Sequence, residues 1–286
     1  MTLNRNEARL GVSETPDAAP PVGETPMVAH GELSFVVPTE IVDLPSKGRF
    51  YPEGHYLHNI SSVEIKYMTA KEEDLLVSQS LIKKGIVLDR LLESLLIDKR
   101  IKTNDLLIGD KNALIVAARI TGYGSEYTTA VGCPACRERV DFSFDLEEAK
   151  IIDPDVTKIS NVEEGPNNSF IAVLPKSGVR VEFRPLTGVD EQKVADTLNK
   201  RSKHQLGSNT LTEGLRRMIV SVNGDDNPSM INKFINVMPA YDSKFLRGAY
   251  VKCVPNIDLT QNFLCDKCDH EQEMEVPLSA DFFWPK

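Results

Sequence analysis

Two Cys-x-x-Cys pairs constrain this chain more than any other feature. They are Cys133-Pro134-Ala135-Cys136 and Cys265-Asp266-Lys267-Cys268, with corresponding cysteines 132 positions apart. A two-residue gap lets both sulfurs of a pair face one ion, and two pairs supply the four thiolates of a closed tetrahedral zinc site. One pair alone is a weak signal. Each pair here lies between strand-like segments, where a zinc ribbon carries its knuckle. The expected ligands of a structural Zn2+ are therefore Cys133, Cys136, Cys265 and Cys268. The 128 residues between Cys136 and Cys265 do not forbid this. Each doubling of a loop adds only about 0.6 kcal/mol to closure, against roughly 10–16 kcal/mol of apparent zinc binding.

The cysteines are not the only elements that recur. Leu174-Pro175-Lys176-Ser177-Gly178 echoes Leu44-Pro45-Ser46-Lys47-Gly48, and Val181 to Thr187 echoes Val63 to Thr69. Thr69 is followed by Glu72 and Thr187 by Asp190, each a capping box that opens a helix. Asp242 and Leu246 repeat Asp110 and Leu114 at the offset of the cysteines. Beyond the knuckles, Phe142, Phe144 and Leu146 alternate as Met274, Val276 and Leu278 do, one face of a strand in each case. This order predicts an internally duplicated α+β unit of turn and strand, helices, and zinc-ribbon hairpin, with two copies joined by a shared zinc site.

The expected organisation is a disordered arm over 1–34, rich in Pro, Ala, Glu and Thr without apolar period. A first copy covers 35–150, a linker 151–173 and a second copy 174–286. Within the first copy, Ser62 to Tyr67 alternates as a strand. A helix runs from Thr69 to about Lys84, where Gly85 stops it. Leu88, Leu91, Leu92, Leu95 and Leu96 mark one face of the next helix. A third helix runs from Asp110 to about Gly122, and strands cover Glu126–Val131 and Val140–Leu146.

Other chemistry is poorly supported. A redox pair needs a thioredoxin-like helix after its cysteines, and neither motif has one. A catalytic zinc needs an open coordination position, which four thiolates remove. Merely packed cysteines are the bland alternative. His270, two residues after Cys268, is a substitute ligand on paper and a solvated knuckle residue in expectation. Cys253 falls opposite Thr121 and reads as a small buried residue. His55 and His58 lie in a turn and read as surface residues. No Walker loop, H-E-x-x-H or G-x-S-x-G is present, so no enzyme is expected. With 33 basic against 42 acidic residues, the net charge of −9 argues against nucleic-acid backbones as partners. The basic clusters Asn199–His204 and Arg216-Arg217 read as solvated faces or loops. A zinc-ribbon nucleic-acid-binding module is thus the weaker alternative. No apolar run reaches membrane-spanning length, and the N-terminus shows no secretory h-region, which implies folding in a reducing cytosol.

Leu44-Pro45-Ser46-Lys47-Gly48-x-Phe50-Tyr51-Pro52, then Gly122-Tyr123-Gly124, then Cys133-Pro134-Ala135-Cys136 resembles the baseplate protein family of T-even-type contractile-tailed bacteriophages. That family includes baseplate hub and hub-assembly proteins, and the similarity covers roughly residues 35–280. The resemblance implies a structural, non-enzymatic role in the virion tail baseplate after assembly in the host cytoplasm. Its implied partners are other baseplate hub proteins or the tape-measure protein, with no small-molecule substrate. A tape-measure or hub assembly chaperone absent from the virion is the variant of that reading.

Overall fold

The computed structural model describes residues 37–203, 209–277 and 280–283. The arm expected over 1–34 and His204 of the basic cluster lie outside them. Among the described residues every strand pairing is antiparallel and helices alternate with small sheets, an α+β architecture.

In the first half, β1 (Thr39–Asp43) pairs with β2 (Ser62–Lys66), Thr39 opposite Lys66 and Asp43 opposite Ser62. The turn between them is set by Gly48, at φ +72. A Cβ there would lie 2.3 Å from the Leu57 carbonyl oxygen, so only glycine fits. Thr69 then opens α1 (Ala70–Leu76); its N–H and hydroxyl both donate to the Glu72 carboxylate. The single helix expected to Lys84 is in fact two. Val77 and Ser78 break it, and α2 (Gln79–Lys84) ends at Gly85 in the left-handed conformation. The reason is local. Val77-Ser78-Gln79-Ser80 is weak in helix propensity, Val77 is exposed, and α2 buries no residue that would hold one continuous axis. Leu91, Leu92, Leu95 and Leu96 are all buried, on and just beyond α3 (Val87–Leu95), as their spacing requires. The long helix α4 (Ile108–Tyr123) leads into the hairpin β3 (Glu126–Gly132) and β4 (Arg139–Asp145).

Residues 151–173, expected as a linker, are folded. They carry the end of β5 (Lys150–Ile152), β6 (Val162–Glu164) and β7 (Phe170–Val173). The latter two form a four-stranded sheet with β8 (Arg180–Phe183) and β9 (Ile219–Val222), in the order β6-β7-β8-β9. Between β8 and β9 run α5 (Gly188–Lys203) and α6 (Thr210–Met218). Then α7 (Pro228–Val237) and α8 (Ala240–Cys253) precede β10 (Asn256–Asp258) and the hairpin β11 (Thr260–Leu264) and β12 (Glu271–Glu275).

The two halves repeat specific devices. Asp110, in the first turn of α4, accepts from Ser46 N and Oγ at 2.9 and 2.6 Å. Asp242, in the first turn of α8, accepts from Lys176 N and Ser177 N at 2.8 and 3.0 Å. Lys66 pairs with Glu72 at the start of α1, and Arg184 pairs with Asp190 at the start of α5, both at 2.8 Å. Thr187 donates to Asp190 through both N–H and hydroxyl, as Thr69 does to Glu72.

Two apolar cores result. One gathers β2, α3, α4 and the β3–β4 hairpin, with Ile65, Leu92, Leu114 and Phe144 at its centre. The other gathers β7 to β9 with α6, α7 and α8 around Phe183 and Leu246. Phe50 packs against both, its ring 5.4 Å from that of Phe170. The division does not follow the copies expected from sequence. Phe263, Cys265 and Val276 belong to the first core, as do Phe282 and Phe283 near the C-terminus. The halves are also joined by backbone. Ile108 N–H donates to Leu186 O, Gly188 N–H donates to Leu106 O, and β5 pairs with β10. Gly109 lets α4 approach Pro255, whose carbonyl oxygen would lie 2.2 Å from a Cβ.

Candidate metal centre

The register of each hairpin delivers its cysteines to one end. β3 and β4 pair from Glu126 opposite Asp145 to Gly132 opposite Arg139, which leaves residues 133–138 as the connection. β11 and β12 pair from Thr260 opposite Glu275 to Leu264 opposite Glu271, which leaves 265–270. The connections close identically. Cys133 N–H donates to Glu138 O and Arg137 N–H to Cys133 O. Cys265 N–H donates to His270 O and Asp269 N–H to Cys265 O. Arg137 at φ 64 and Asp269 at φ 53 take the left-handed conformation, the bend that returns the chain to the second strand.

The hairpins meet knuckle to knuckle. Cys133 Sγ lies 3.7 Å from Cys268 Sγ, and Cys136 Sγ lies 3.8 Å from Cys265 Sγ. All four sulfurs lie within 4.8 Å of one another and could hold a metal ion. Metal–sulfur bonds of about 2.3 Å in a tetrahedron place sulfurs about 3.8 Å apart, so the cradle fits an ion of that bond length. Each hairpin supplies two of the four sulfurs, so neither holds a complete site. Cys133 and Cys265 are buried, Cys136 is half-buried and Cys268 faces solvent.

The protonation pattern follows from crowding. Backbone N–H groups of Cys136 and Ala135 hold the Cys133 thiol down, to about 6. At Cys268 the His270 N–H also favours the thiolate. The crowding sulfurs of Cys136, Cys265 and Cys133 outweigh it and push that thiol up to about 12. Four clustered sulfurs shed a first proton readily and a last one reluctantly, unless a cation joins them. Four thiolates on a tetrahedral ion leave no position for substrate.

The other candidates separate cleanly from this group. His270 contributes its carbonyl to the second knuckle, and its imidazole is not among the converging ligands. Cys253 is buried in the second core, where burial raises its thiol to about 11. His55 stacks on Tyr51 with ring centroids 4.7 Å apart, and His58 Nδ1 meets the Tyr51 carbonyl at 2.8 Å. Both shape the turn around a buried tyrosine. Arg216 and Arg217, expected on a solvated face, instead bracket the buried Glu213.

Sequence reasoning missed Arg119. Its side chain is buried and has carbonyl partners: Nε donates to Phe282 O, one terminal nitrogen to Gly124 O and the other to Glu126 O. Its guanidinium lies 5.3 Å from the Tyr123 ring centroid and 5.9 Å from that of Tyr127. It ties residue 282 to the start of the first cysteine hairpin. The signal was a lone charge closing the apolar run Ala113 to Ala118.

Among the described residues, no helix is long and apolar enough to cross a membrane. No curated protein and no solved structure is found to be significantly similar to this chain. The family model described as T4 bacteriophage base plate protein matches residues 37–284, a span that includes every described residue. The chain belongs to the T4 bacteriophage base plate protein family.

Proposed function

We propose that this chain is a non-enzymatic structural or assembly component of the hub region of a contractile-tail baseplate. In this reading Cys133, Cys136, Cys265 and Cys268 hold one structural zinc ion, which rivets two copies of a duplicated unit. The observation that carries it is the pairing of sulfurs across the two hairpins at 3.7 and 3.8 Å. The matched Asp110 and Asp242 locks and the matched Glu72 and Asp190 caps support the duplication. The zinc stabilises the fold, and its four-thiolate shell leaves no room for catalysis. Neighbours are other hub proteins or the tape-measure protein.

The test is mass spectrometry of purified tails together with metal counting on the isolated chain. The expected result is this chain in tails, and one zinc per chain after reducing, chelator-free purification. Presence during assembly but absence from finished tails would convert the reading to an assembly chaperone. Zinc-free protein with an unchanged melting curve would remove the rivet.

A further inference from the structure

Beside α8 lies a half-open groove of about 490 Å³ whose lining includes Ile159, Tyr241, Lys244, Phe245, Gly248 and Lys252. Its floor is apolar and its rim is cationic. Lys158 also lines it, and Lys176 Nζ sits 5.9 Å from the Tyr241 ring centroid. Lys158 is paired with Asp155, whereas Lys244 and Lys252 have no carboxylate partner among the described residues. Tyr241, 60% exposed, stands at one end.

Gly248 adds an independent observation. A glycine inside a helix costs roughly 0.5–1 kcal/mol relative to alanine. A Cβ at this position would meet nothing within 4 Å, so no contact within the protein requires its absence. The notch it leaves opens into the groove, where another backbone or a large side chain can come close to the helix.

We propose that this groove docks an acidic segment of another tail protein, its carboxylates on Lys244 and Lys252 and an apolar side chain over Gly248. The proposal rests on the assembly role argued above. From Tyr241 to Lys252 the helix face runs about 16 Å at about 1.5 Å per residue, the reach of about five extended residues. A protein segment fits better than nucleic acid or lipid. The apolar floor between the lysines selects an apolar side chain flanked by carboxylates, which a protein segment supplies and a nucleic-acid backbone does not.

The probe is a fluorescein-labelled, glutamate-rich peptide with a central phenylalanine, titrated into the zinc-loaded full chain. The doubly substituted Lys244→Glu, Lys252→Glu protein should bind it about tenfold or more weakly. So should Gly248→Leu, which fills the notch without changing charge. Both should keep the parent melting temperature or rise slightly, since no partner is lost. Equal affinity for the same peptide with glutamine in place of glutamate would overturn the proposal. So would unchanged binding by both variants, or tighter binding of an oligothymidylate or of phosphatidylglycerol vesicles. Self-association of the unliganded chain that the lysine reversals abolish would assign the groove to a second copy instead and overturn it too. Incorporation into tails separates this proposal from the one beneath it. Parent chain missing from assembling and finished tails breaks the assembly reading, while parent and lysine-reversed chains entering equally breaks only the groove.

Discussion

Asp110 and Asp242 occupy matching places, each in the first turn of a long helix and each facing a Leu-Pro turn, yet their surroundings differ. Asp110 accepts from Ser46 N, Ser46 Oγ and the Tyr51 hydroxyl, and that hydroxyl accepts from Leu107 N–H. Asp242 accepts from two backbone N–H groups of Lys176 and Ser177. Burial raises the Asp110 carboxyl and outweighs its donors. At Asp242 burial acts in the same sense, but the backbone donors win and hold the carboxyl below its ordinary range. The cause is a longer first turn. Residues between Gly48 and Ser62 fold over it and bury Tyr51 and Leu57, whereas the second turn passes almost directly into β8. A similar turn lock is thus part of an interior network in the first half and a charge-dependent clasp in the second.

The hairpins are where the halves are most alike, and they carry the largest expected effect. On the proposed zinc reading, Cys133→Ser and Cys265→Ser should each destabilise by about 4 kcal/mol or more, because each removes one of the four ligands. Equal losses in urea denaturation would support one shared ion. A large loss for one and none for the other would mean that the hairpins are stabilised separately. A chelator should lower the melting temperature of the parent protein and leave that of a zinc-free double variant unchanged.

The turn glycines divide the halves next. Gly48 and Gly178 share a left-handed φ of +72 and +68. At Gly48 a Cβ would meet Leu57 O at 2.3 Å and Ile60 N at 2.4 Å, whereas at Gly178 it would meet nothing within 4 Å. Gly48→Ala should therefore cost about 3 kcal/mol or more and Gly178→Ala about 1 kcal/mol, the latter from backbone strain alone. Comparable costs by chemical denaturation would show that the covering segment yields easily.

Asp110→Ala strands two buried hydroxyls and one N–H, and should cost about 3 kcal/mol. Asp242→Ala frees two N–H groups beside exposed side chains and should cost about 1 kcal/mol. Denaturation midpoints at neutral pH decide the order, and a reversed ranking would remove the distinction between network and clasp.

The sequence made some of this readable and hid the rest for identifiable reasons. The common 132-residue offset exposed the four-cysteine cradle and marked Asp110 and Asp242 as corresponding positions, but that both lock onto a Leu-Pro turn is visible only in the fold. The Leu88 to Leu96 stripe predicted α3 because a single apolar face decides such a helix. The break between α1 and α2 was hidden, since it depends on α2 finding nothing to pack against. The placement of β11, β12 and Phe282 on the first core was hidden as well. Their alternation tells which face is buried and not which core buries it. Arg119 escaped for the same reason, as its partners are carbonyls, which every residue has.

Acid is the gentlest probe of the two locks. The Asp242 carboxyl is depressed in the fold, so its stabilisation is present above the ordinary carboxylate range and lost as pH falls through its folded value. The Asp110 carboxyl is raised, so its protonated form is favoured by the fold, and its contribution grows as pH falls. Glu72 and Asp190 are both depressed, Glu72 to about 2, so the helix caps weaken on acidification in both halves and do not separate them. Amide exchange of the turns does separate them. As pH falls below the ordinary carboxylate range, Lys176 and Ser177 N–H should lose protection while Ser46 N–H keeps it, after correction for the intrinsic exchange rate. Asp242→Asn should remove that pH dependence from the second turn and leave the first untouched. Simultaneous loss at both turns in the parent protein would mean that acid acts through the shared cradle, where, on the proposed zinc reading, protonated thiols would release the ion and loosen both halves together.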